Sequence, residues 1–243
     1  FGVSRTAVWK VINQLKEEGY QIESVPRKGY RLKESPADIL SKSEIASRLH
    51  TKWAGQTLYY REKTGSTNTD AKELAEQGAP HGTTVVADCQ TAGKGRRGRQ
   101  WQSPADIAVY FTIMLRPVFP PDKASMVTLV MALSVAQAIE EVTGMSARIK
   151  WPNDIVVNRR KVCGMLTEMS TTPEMGEIQY VVVGVGINVN QAGSEAFPED
   201  IRETATSLRI EAGRVIGRSE LTEKVLAHFE ENFEIFTKSL SMR

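Results

Sequence analysis

Gln90-Thr-Ala-Gly-Lys-Gly-Arg-Arg-Gly-Arg99 is the most informative stretch of this chain. Its last seven residues hold three glycines and four cationic side chains, shortly after the apolar run at residues 83–87. Four like charges placed so close together repel one another unless solvent or an anion receives them. Glycine has no Cβ, so backbone N–H groups can approach a ligand. The stretch predicts a loop that folds over an anionic, phosphorylated ligand; a solvated basic turn without a ligand is the alternative.

The residues that follow this loop decide between fold classes. Gly93, Gly95 and Gly98 match the spacing of the dinucleotide-binding fingerprint, which requires an amphipathic helix immediately afterwards. The chain continues instead with residues 107–115, an apolar run typical of a β-strand. A P-loop is excluded as well, because no Gly-Lys-Ser/Thr closes the loop.

Length and composition limit the protein class. The 243 residues suffice for one large domain or for one medium and one small domain. A net charge of +2 means that any basic surface is local. Cys89 and Cys163 have neither metal-ligand nor disulfide spacing, which indicates a reducing, cytoplasmic location. We expect no membrane partner, since no apolar run reaches about 20 residues. We also expect no metal cage, because His50, His81 and His228 are scattered.

Residues 1–35 are predicted to form a separate module. Ser4 can cap a helix that extends to about residue 18, and Gly19 ends it. Strands at residues 20–25 and 30–32 follow, joined by the turn Pro26-Arg-Lys-Gly29. A helix followed by a basic-tipped hairpin resembles the recognition helix and wing of a winged helix-turn-helix, which bind the major groove and the DNA backbone. A solvated helix with an incidental hairpin is the alternative.

The residues predicted to contact DNA lie on the polar face of this helix and at the tip of the hairpin. They are Ser4, Arg5, Thr6, Trp9, Lys10, Asn13, Arg27 and Lys28. The supporting helices of such a module are expected to precede Phe1.

Residues 36–243 are predicted to form a second domain after a polar linker at residues 34–38. Hydrophobic periodicity predicts helices and strands in alternation, including a long helix at residues 123–142 that is apolar on nearly every face and therefore buried. Residues 179–185 form a near-continuous apolar run, which indicates a central strand. The final helix carries its apolar residues on one side: Leu221, Val225, Leu226, Phe229, Phe233 and Phe236.

A hairpin is predicted at residues 155–169, with Arg159 and Arg160 as its turn. In that register Lys161 and Asp154 share a face but lie about 13 Å apart, too far for an ion pair. Arg-Arg is poor chemistry for a tight turn, so the register is the weak part of this prediction.

Six motifs in order resemble the bacterial bifunctional biotin–protein ligases that also repress biotin operons. The motifs span nearly the whole chain: Gly2-Val-Ser-Arg-Thr-Ala-Val-Trp-Lys10, Gly65-Ser-Thr-Asn68, Gln90 to Arg99, Lys150-Trp-Pro-Asn-Asp154, Lys161-Val-Cys-Gly-Met-Leu166 and Gly184-Val-Gly-Ile-Asn188.

The resemblance implies an α+β fold. It comprises part of an N-terminal winged helix-turn-helix and a mixed β-sheet catalytic domain of the class II synthetase/biotin ligase type, with the family's small C-terminal β-barrel domain outside this chain. It implies activation of biotin by ATP and Mg²⁺ to biotinyl-5′-AMP, followed by transfer to a lysine of a biotin carboxyl carrier protein. Operator DNA and a ligand-promoted homodimer are the further partners that it implies.

The resemblance also implies roles for individual residues. Lys161 and Arg96 would be catalytic. Biotin and the adenylate would contact Ser66, Thr67, Asn68, Gln90, Gly93, Lys94, Gly95, Arg96, Lys161, Gly184 and Gly186. ATP and Mg²⁺ would be served by Lys150, Asn153, Asp154 and Asn188. Two alternatives stay open: a winged-helix biotin sensor without catalysis, and a lipoate–protein ligase.

Overall fold

The computed structural model describes residues 2–17, 19–34, 37–172 and 176–241. They form two compact units that divide between Ile39 and Leu40. The predicted linker includes Ser35 and Pro36, and the predicted end of the first helix is Glu18; these three residues lie outside the described ranges.

The first unit is a helix followed by a two-stranded antiparallel hairpin, as the sequence predicts. It contains α1 (Arg5–Glu17), β1 (Gln21–Val25) and β2 (Gly29–Glu34). The Ser4 hydroxyl accepts a hydrogen bond from the backbone N–H of Ala7 at 3.2 Å, which confirms the predicted cap. No described residue of α1 is buried.

The second unit is built on a mixed seven-stranded sheet. Its elements are α2 (Lys42–Arg48), β3 (Leu58–Thr64), α3 (Thr67–Glu76), β4 (Thr84–Gln90), β5 (Ala108–Leu115), α4 (Ala124–Thr143), β6 (Arg148–Lys150), β7 (Asp154–Val157), β8 (Arg160–Thr171), β9 (Ile178–Asn188), α5 (Leu208–Ala212) and α6 (Arg218–Ser241). The strand order is β3-β4-β5-β9-β8-β7-β6, and only the β3–β4 pair is parallel. The predicted α+β class is confirmed.

The two faces of this sheet differ in character. Val183 and Val185 of β9 pair with Ile113 and Phe111 of β5, and all four belong to the main core with α4 and α6. We call this side the core face. Gly184 and Gly186 alternate with those valines and therefore point to the opposite side, which we call the cavity face. Helix α3 covers part of the cavity face through a smaller apolar cluster: Ala71, Ala75, Val85, Met114, Tyr180 and Val182.

Helix α4 is less buried than its composition predicts. Val127, Met131, Val135 and Ile139 are fully buried, whereas Met126, Leu129 and Leu133 are exposed. In the part of the chain that the structure describes, the segment 121–143 is the one helix long and apolar enough to cross a membrane by length and composition. Because it packs along α6, where Asn232 donates to Ser134 and Gln137, we interpret it as a core helix.

Candidate active site

A cavity of about 50 Å³ lies over the cavity face of the sheet. Eleven of the residues that the sequence singles out line it together: Ser66, Thr67, Asn68, Gln90, Lys94, Gly95, Arg96, Asn153, Lys161, Gly184 and Gly186. They come from the start of α3, the end of β4, the loop at residues 93–99 (the basic loop), the turn before β7 and the strands β8 and β9. The fold thus gathers residues that are more than 100 positions apart in the chain at one place.

The start of α3 is held by a side chain from another strand. Ser66 occupies the position before the helix, but its hydroxyl does not cap it. Instead, Oε1 of Gln90 accepts from the backbone N–H of Thr67 at 2.9 Å and from its hydroxyl at 3.1 Å. Nε2 of Gln90 donates to the Ser103 hydroxyl at 2.9 Å. Gln90 therefore ties the helix start to the chain that leaves the basic loop.

Asn68 makes a dense set of contacts beside the cavity. Its Nδ2 donates to Glu168 at 2.8 Å and to the carbonyl of Leu166 at 3.3 Å. Its Oδ1 accepts from the hydroxyl of Thr112 at 2.7 Å. A Cβ on Gly184 would collide with this amide oxygen. Gly184 thus makes room for Asn68.

The basic loop is a small hairpin that closes over the cavity. Lys94 bridges to Gln100, and Trp101 N–H donates to the Gly93 carbonyl at 2.9 Å. Arg97 and Gly98 are left-handed, with φ of 57° and 74°, which turns the chain tightly. This geometry matches the predicted fold-over loop.

Only two of the four cations in the loop line the cavity. Arg96 Nη1 donates to Oδ1 of Asn153 at 3.0 Å, and Lys94 Nζ donates to the Thr69 hydroxyl at 3.3 Å. Arg97 and Arg99 are exposed and outside the cavity lining. Asn153 is fixed in turn, because its Nδ2 donates to the Met165 carbonyl at 2.8 Å.

The prediction that Lys161 and Asp154 lie too far apart for an ion pair is wrong. Lys161 Nζ lies 2.7 Å from Oδ1 of Asp154. The turn is formed by Asn158 and Arg159, with φ of 48° and 67°, rather than by Arg159 and Arg160. A bulge then follows, because Lys161 pairs with Val156 and Cys163 with the adjacent Ile155. The bulge places Lys161 over Gly164, the pairing partner of Asp154.

Trp101 is a cavity residue that was not predicted from the sequence. A Cβ on Gly186 would lie 2.6 Å from Nε1 of Trp101, and one on Gly164 would lie 2.9 Å from its ring. Lys161 Nζ lies 5.2 Å from the centre of that ring. Nε1 is buried without a hydrogen-bond partner, which marks it as a donor available to a ligand or a water molecule. Gly164 and Gly186 could have indicated a large side chain here, because glycines on neighbouring strands leave a gap that such a side chain can fill.

Gly164, Met165, Leu166 and Val185 also line the cavity although they were not predicted from the sequence, and Met165 and Val185 belong to the main core as well. Nothing in their residue types distinguishes the three larger ones from ordinary strand residues. Gly164 alone carried a signal, since glycine inside a strand often marks a close approach.

Four predicted residues lie outside the cavity lining. Gly93 is buried at the start of the basic loop, where a Cβ would collide with the Trp101 carbonyl. Lys150 is exposed on the edge strand β6. Asn188 is buried and donates to the Thr206 carbonyl at 3.1 Å. Asp154 is outside the cavity lining, but its Oδ1 lies 2.7 Å from Nζ of Lys161, which lines the cavity.

The residues predicted to contact DNA all belong to the first unit. Arg5, Thr6, Trp9 and Lys10 are exposed along α1, and Asn13 is half-buried. Arg27 and Lys28 are exposed in the hairpin turn, where Arg27 is left-handed. Ser4 is the helix cap.

The described ranges contain no group of three or more His, Cys, Asp and Glu residues that could hold a metal ion. Burial raises the pKa of the Cys163 thiol far above its ordinary value, so this side chain is not a nucleophile. The chemistry of the cavity therefore rests on cations, amides and hydroxyls.

Comparison with known proteins identifies the family. Residues 58–188 match the "Biotin/lipoate A/B protein ligase family", and residues 1–31 match "HTH domain". The chain belongs to the biotin/lipoate A/B protein ligase family. The family match covers β3 to β9 and so includes every strand and loop that lines the cavity.

Individual relatives of this ligase extend over both units. The "Bifunctional ligase/repressor BirA" of Bacillus subtilis is 46% identical over 96% of this chain and 70% of its own length. The protein of that name from Escherichia coli is 30% identical over 97% of this chain and 70% of its own length. Among solved structures, the biotin protein ligase of Aquifex aeolicus in complex with biotin and ATP has a TM-score of 0.64 and 36% identity, covering 75% of this chain and 72% of that one.

Proposed function

We propose that this ligase activates biotin with ATP to biotinyl-5′-AMP and then transfers the biotinyl group to a lysine of a biotin carboxyl carrier protein. The observation that carries the proposal is the convergence of Lys94, Arg96 and Lys161 on one cavity whose floor contains Gly184 and Gly186. The family membership and the likeness to the biotin protein ligase of Aquifex aeolicus support the same reaction.

Adenylation joins two anions, and the cationic lining suits that task. A carboxylate oxygen of biotin attacks the α-phosphorus of ATP, the bond to the bridging oxygen breaks, and pyrophosphate leaves with the electron pair. Fixed cations stabilise the negative charge that develops in this transition state. Lys161 and Arg96 are the two residues that we assign to it.

Mg²⁺ fits the carboxylate next to the cavity. Oδ1 of Asp154 is buried and accepts no aligned hydrogen bond, although Lys161 lies beside it. Mg²⁺ usually takes one or two protein carboxylates together with phosphate oxygens and water, so it needs no cage of protein ligands. We assign Asp154 to hold the ion with ATP, where it would neutralise phosphate charge. We keep Lys150 and Asn188 as further ATP candidates.

The hydrogen-bonding side chains at the inner wall suit the biotin head. Its ureido ring offers both N–H donors and a carbonyl acceptor, and Ser66, Thr67, Asn68 and Gln90 supply both kinds of partner. A cavity of about 50 Å³ holds only a few water molecules, so biotin enters when the basic loop or Trp101 moves aside. Closure of the loop afterwards excludes water from a reactive mixed anhydride.

We also propose that the protein is a biotin-responsive repressor of transcription and that its first unit binds the DNA. Residues 1–35 would bind operator DNA through α1 and the hairpin, and residues 36–243 would form the catalytic domain. Two half-sites require two copies of the helix, so we infer a homodimer promoted by the adenylate. Both cysteines are free thiols, in keeping with the reducing cytoplasm.

One incubation separates this proposal from its alternatives. The protein is mixed with MgATP, a carrier domain, and either biotin or lipoate, and both pyrophosphate release and carrier labelling are measured. We expect release and labelling with biotin alone. Labelling with lipoate would indicate a lipoate ligase. Biotin binding without pyrophosphate would indicate a sensor, and either result would overturn the proposal.

A further inference from the structure

Glu168 lies outside the cavity lining yet contacts a residue that lines it. Its Oε2 accepts from Nδ2 of Asn68 at 2.8 Å, and its Oε1 accepts from Lys72 at 2.7 Å. Glu168 is on β8 and both partners are on α3, so the carboxylate joins the helix to the sheet directly beside the cavity. Its side chain is 30% exposed, which leaves it partly shielded from solvent.

We propose that Glu168 is a positioning residue for biotin binding: it fixes which end of the Asn68 amide faces the cavity. The proposal rests on the assignment of Asn68 to the biotin site made above. Glu168 itself would not touch the ligand.

The Asn68 amide needs a hydrogen-bonding partner that fixes its orientation. An amide has a donor end and an acceptor end of nearly equal shape, so packing alone cannot orient it. A carboxylate is an acceptor only, so Glu168 selects Nδ2. The Leu166 carbonyl also accepts from Nδ2, but at 3.3 Å, whereas the charged carboxylate of Glu168 accepts at 2.8 Å and forms the stronger hydrogen bond. Oδ1 is left over Gly184, where it accepts from Thr112 and presents an oxygen at the cavity wall. An inverted amide would offer N–H groups there, and the N–H donors of biotin would lose an acceptor.

Lys72 keeps the carboxylate in its acceptor-only form. Burial alone would raise the pKa of Glu168, but the hydrogen bonds from Lys72 and Asn68 outweigh it, and the net pKa is lowered. The charged groups that face Glu168 are Lys72 from α3 and Lys94 from the basic loop. Both favour the ionised carboxylate at neutral pH.

A double-mutant cycle tests whether Glu168 acts through Asn68. Biotin Kd is measured by calorimetry for the native protein, Glu168→Leu, Asn68→Ala and the double variant. We expect Glu168→Leu to raise Kd about tenfold, as for loss of a hydrogen bond to a charged group. In the Asn68→Ala background the same change should alter Kd less than about twofold. Equal factors in both backgrounds, or no effect of Glu168→Leu in either, would overturn the proposal.

Glu76→Leu is the matched control. Glu76 also links α3 to the sheet, since its Oε1 accepts from the Tyr180 hydroxyl at 3.3 Å, but it does not touch Asn68. Its substitution should lower the melting temperature without changing biotin Kd. If Glu168→Leu does not fold, Glu168→Gln, which keeps an acceptor oxygen, replaces it and should lose affinity by a smaller factor than Asn68→Ala.

The pH dependence of biotin affinity distinguishes a positioning role of Glu168 from a purely structural one, which would not make the affinity depend on pH. Lys72→Met removes the strongest of the contacts that lower the pKa of Glu168. Biotin affinity of this variant should fall as the pH drops from 7 to about 5, while that of the native protein stays flat. Identical profiles would count against the proposal. Failure of the native protein to bind biotin would instead refute the proposed function, and an unchanged Kd in Asn68→Ala would refute the assignment of Asn68.

Discussion

The two faces of the seven-stranded sheet use the same strands for different purposes. On β9, Val183 and Val185 fill the core under α4 and α6, while Gly184 and Gly186 alternate with them along the strand and face the cavity. The core face is apolar and closely packed, and the cavity face carries cations, amides and hydroxyls. Because successive residues of a strand face opposite sides of the sheet, the valines of β9 contribute to the core and the glycines next to them leave space in the cavity.

Substitutions of similar size should have different effects on the two faces. On the core face, side chains are present to be buried, so their removal costs folding free energy. On the cavity face, side chains are absent at Gly164, Gly184 and Gly186, and the gaps are used by Lys161, Asn68 and Trp101. Substitutions there should change ligand binding before they change folding.

The largest expected effect is that of Lys161→Ala. We assign Lys161 to the reacting centre, so loss of its fixed positive charge should reduce the rate of biotinyl-AMP formation about 10³-fold. Thermal unfolding should change little, because the side chain is one-third exposed. The contrasting variant is Phe229→Ala on the core side, which should cost about 3–5 kcal/mol of stability and leave the adenylation rate of the folded protein nearly intact. Full adenylation by Lys161→Ala would refute its assigned role.

Arg96→Gly should weaken retention of the adenylate. Arg96 lines the cavity, and removal of a charged hydrogen-bond donor should speed release of biotinyl-AMP by about 10- to 100-fold. Arg97→Gly is the neighbouring control, because Arg97 is exposed and left-handed, a conformation that glycine adopts readily. Release is followed by a filter assay with labelled biotin. Equal release rates in the two variants would show that the loop is only a solvated basic turn.

A pair of substitutions on β9 compares the faces most closely. Gly184→Ala adds one carbon that collides with Asn68 and should raise biotin Kd about tenfold or more. Val183→Ala removes two carbons from the other face and should cost about 2 kcal/mol of stability with biotin Kd unchanged. Calorimetry and denaturant unfolding are measured on both. If each variant lost stability and affinity in the same ratio, the division between the faces would be wrong.

The smallest expected effect is a pH dependence on the core side. His81 packs against Trp53, and its Nδ1 accepts from the Arg116 backbone at 3.0 Å. Burial lowers its pKa below the ordinary 6.5. The unfolded chain therefore binds a proton more readily, so the free energy of unfolding should be highest above pH 6.5 and fall as the pH drops below it.

The control for this effect is His81→Gln, which keeps an acceptor but cannot titrate. The difference in unfolding free energy between native protein and variant, measured from pH 8 to 5, isolates the contribution of His81 from those of the carboxylates. A difference that does not vary with pH would contradict the prediction.

The local sequence pattern predicted several elements of the fold and of the cavity. The glycine-cation loop, the apolar run of β9 and the one-sided final helix each carry their signal within a few residues, and the structure places them as expected. The contacts that were missed depend on register and on distant packing. The Lys161–Asp154 pair requires a bulge that no residue type announces, and the burial of Asn188 depends on the Thr206 carbonyl, 18 residues away.

The exposure of individual side chains could not be predicted from the hydrophobic pattern of the sequence either. Helix α4 is apolar on most sides, but only one side meets α6 and the sheet, so Met126 and Leu133 are exposed. Trp101 shows the opposite case. It follows a polar, exposed loop in sequence, yet its ring fills the gap that two glycines leave on neighbouring strands.

The most direct measurement is a crystal structure of the protein with a non-hydrolysable biotinyl-5′-AMP analogue. We expect the analogue to lie over Gly184 and Gly186, with its phosphate between Arg96 and Lys161 and the basic loop closed above it. An analogue bound elsewhere, with Lys94 and Arg96 directed into solvent, would contradict it.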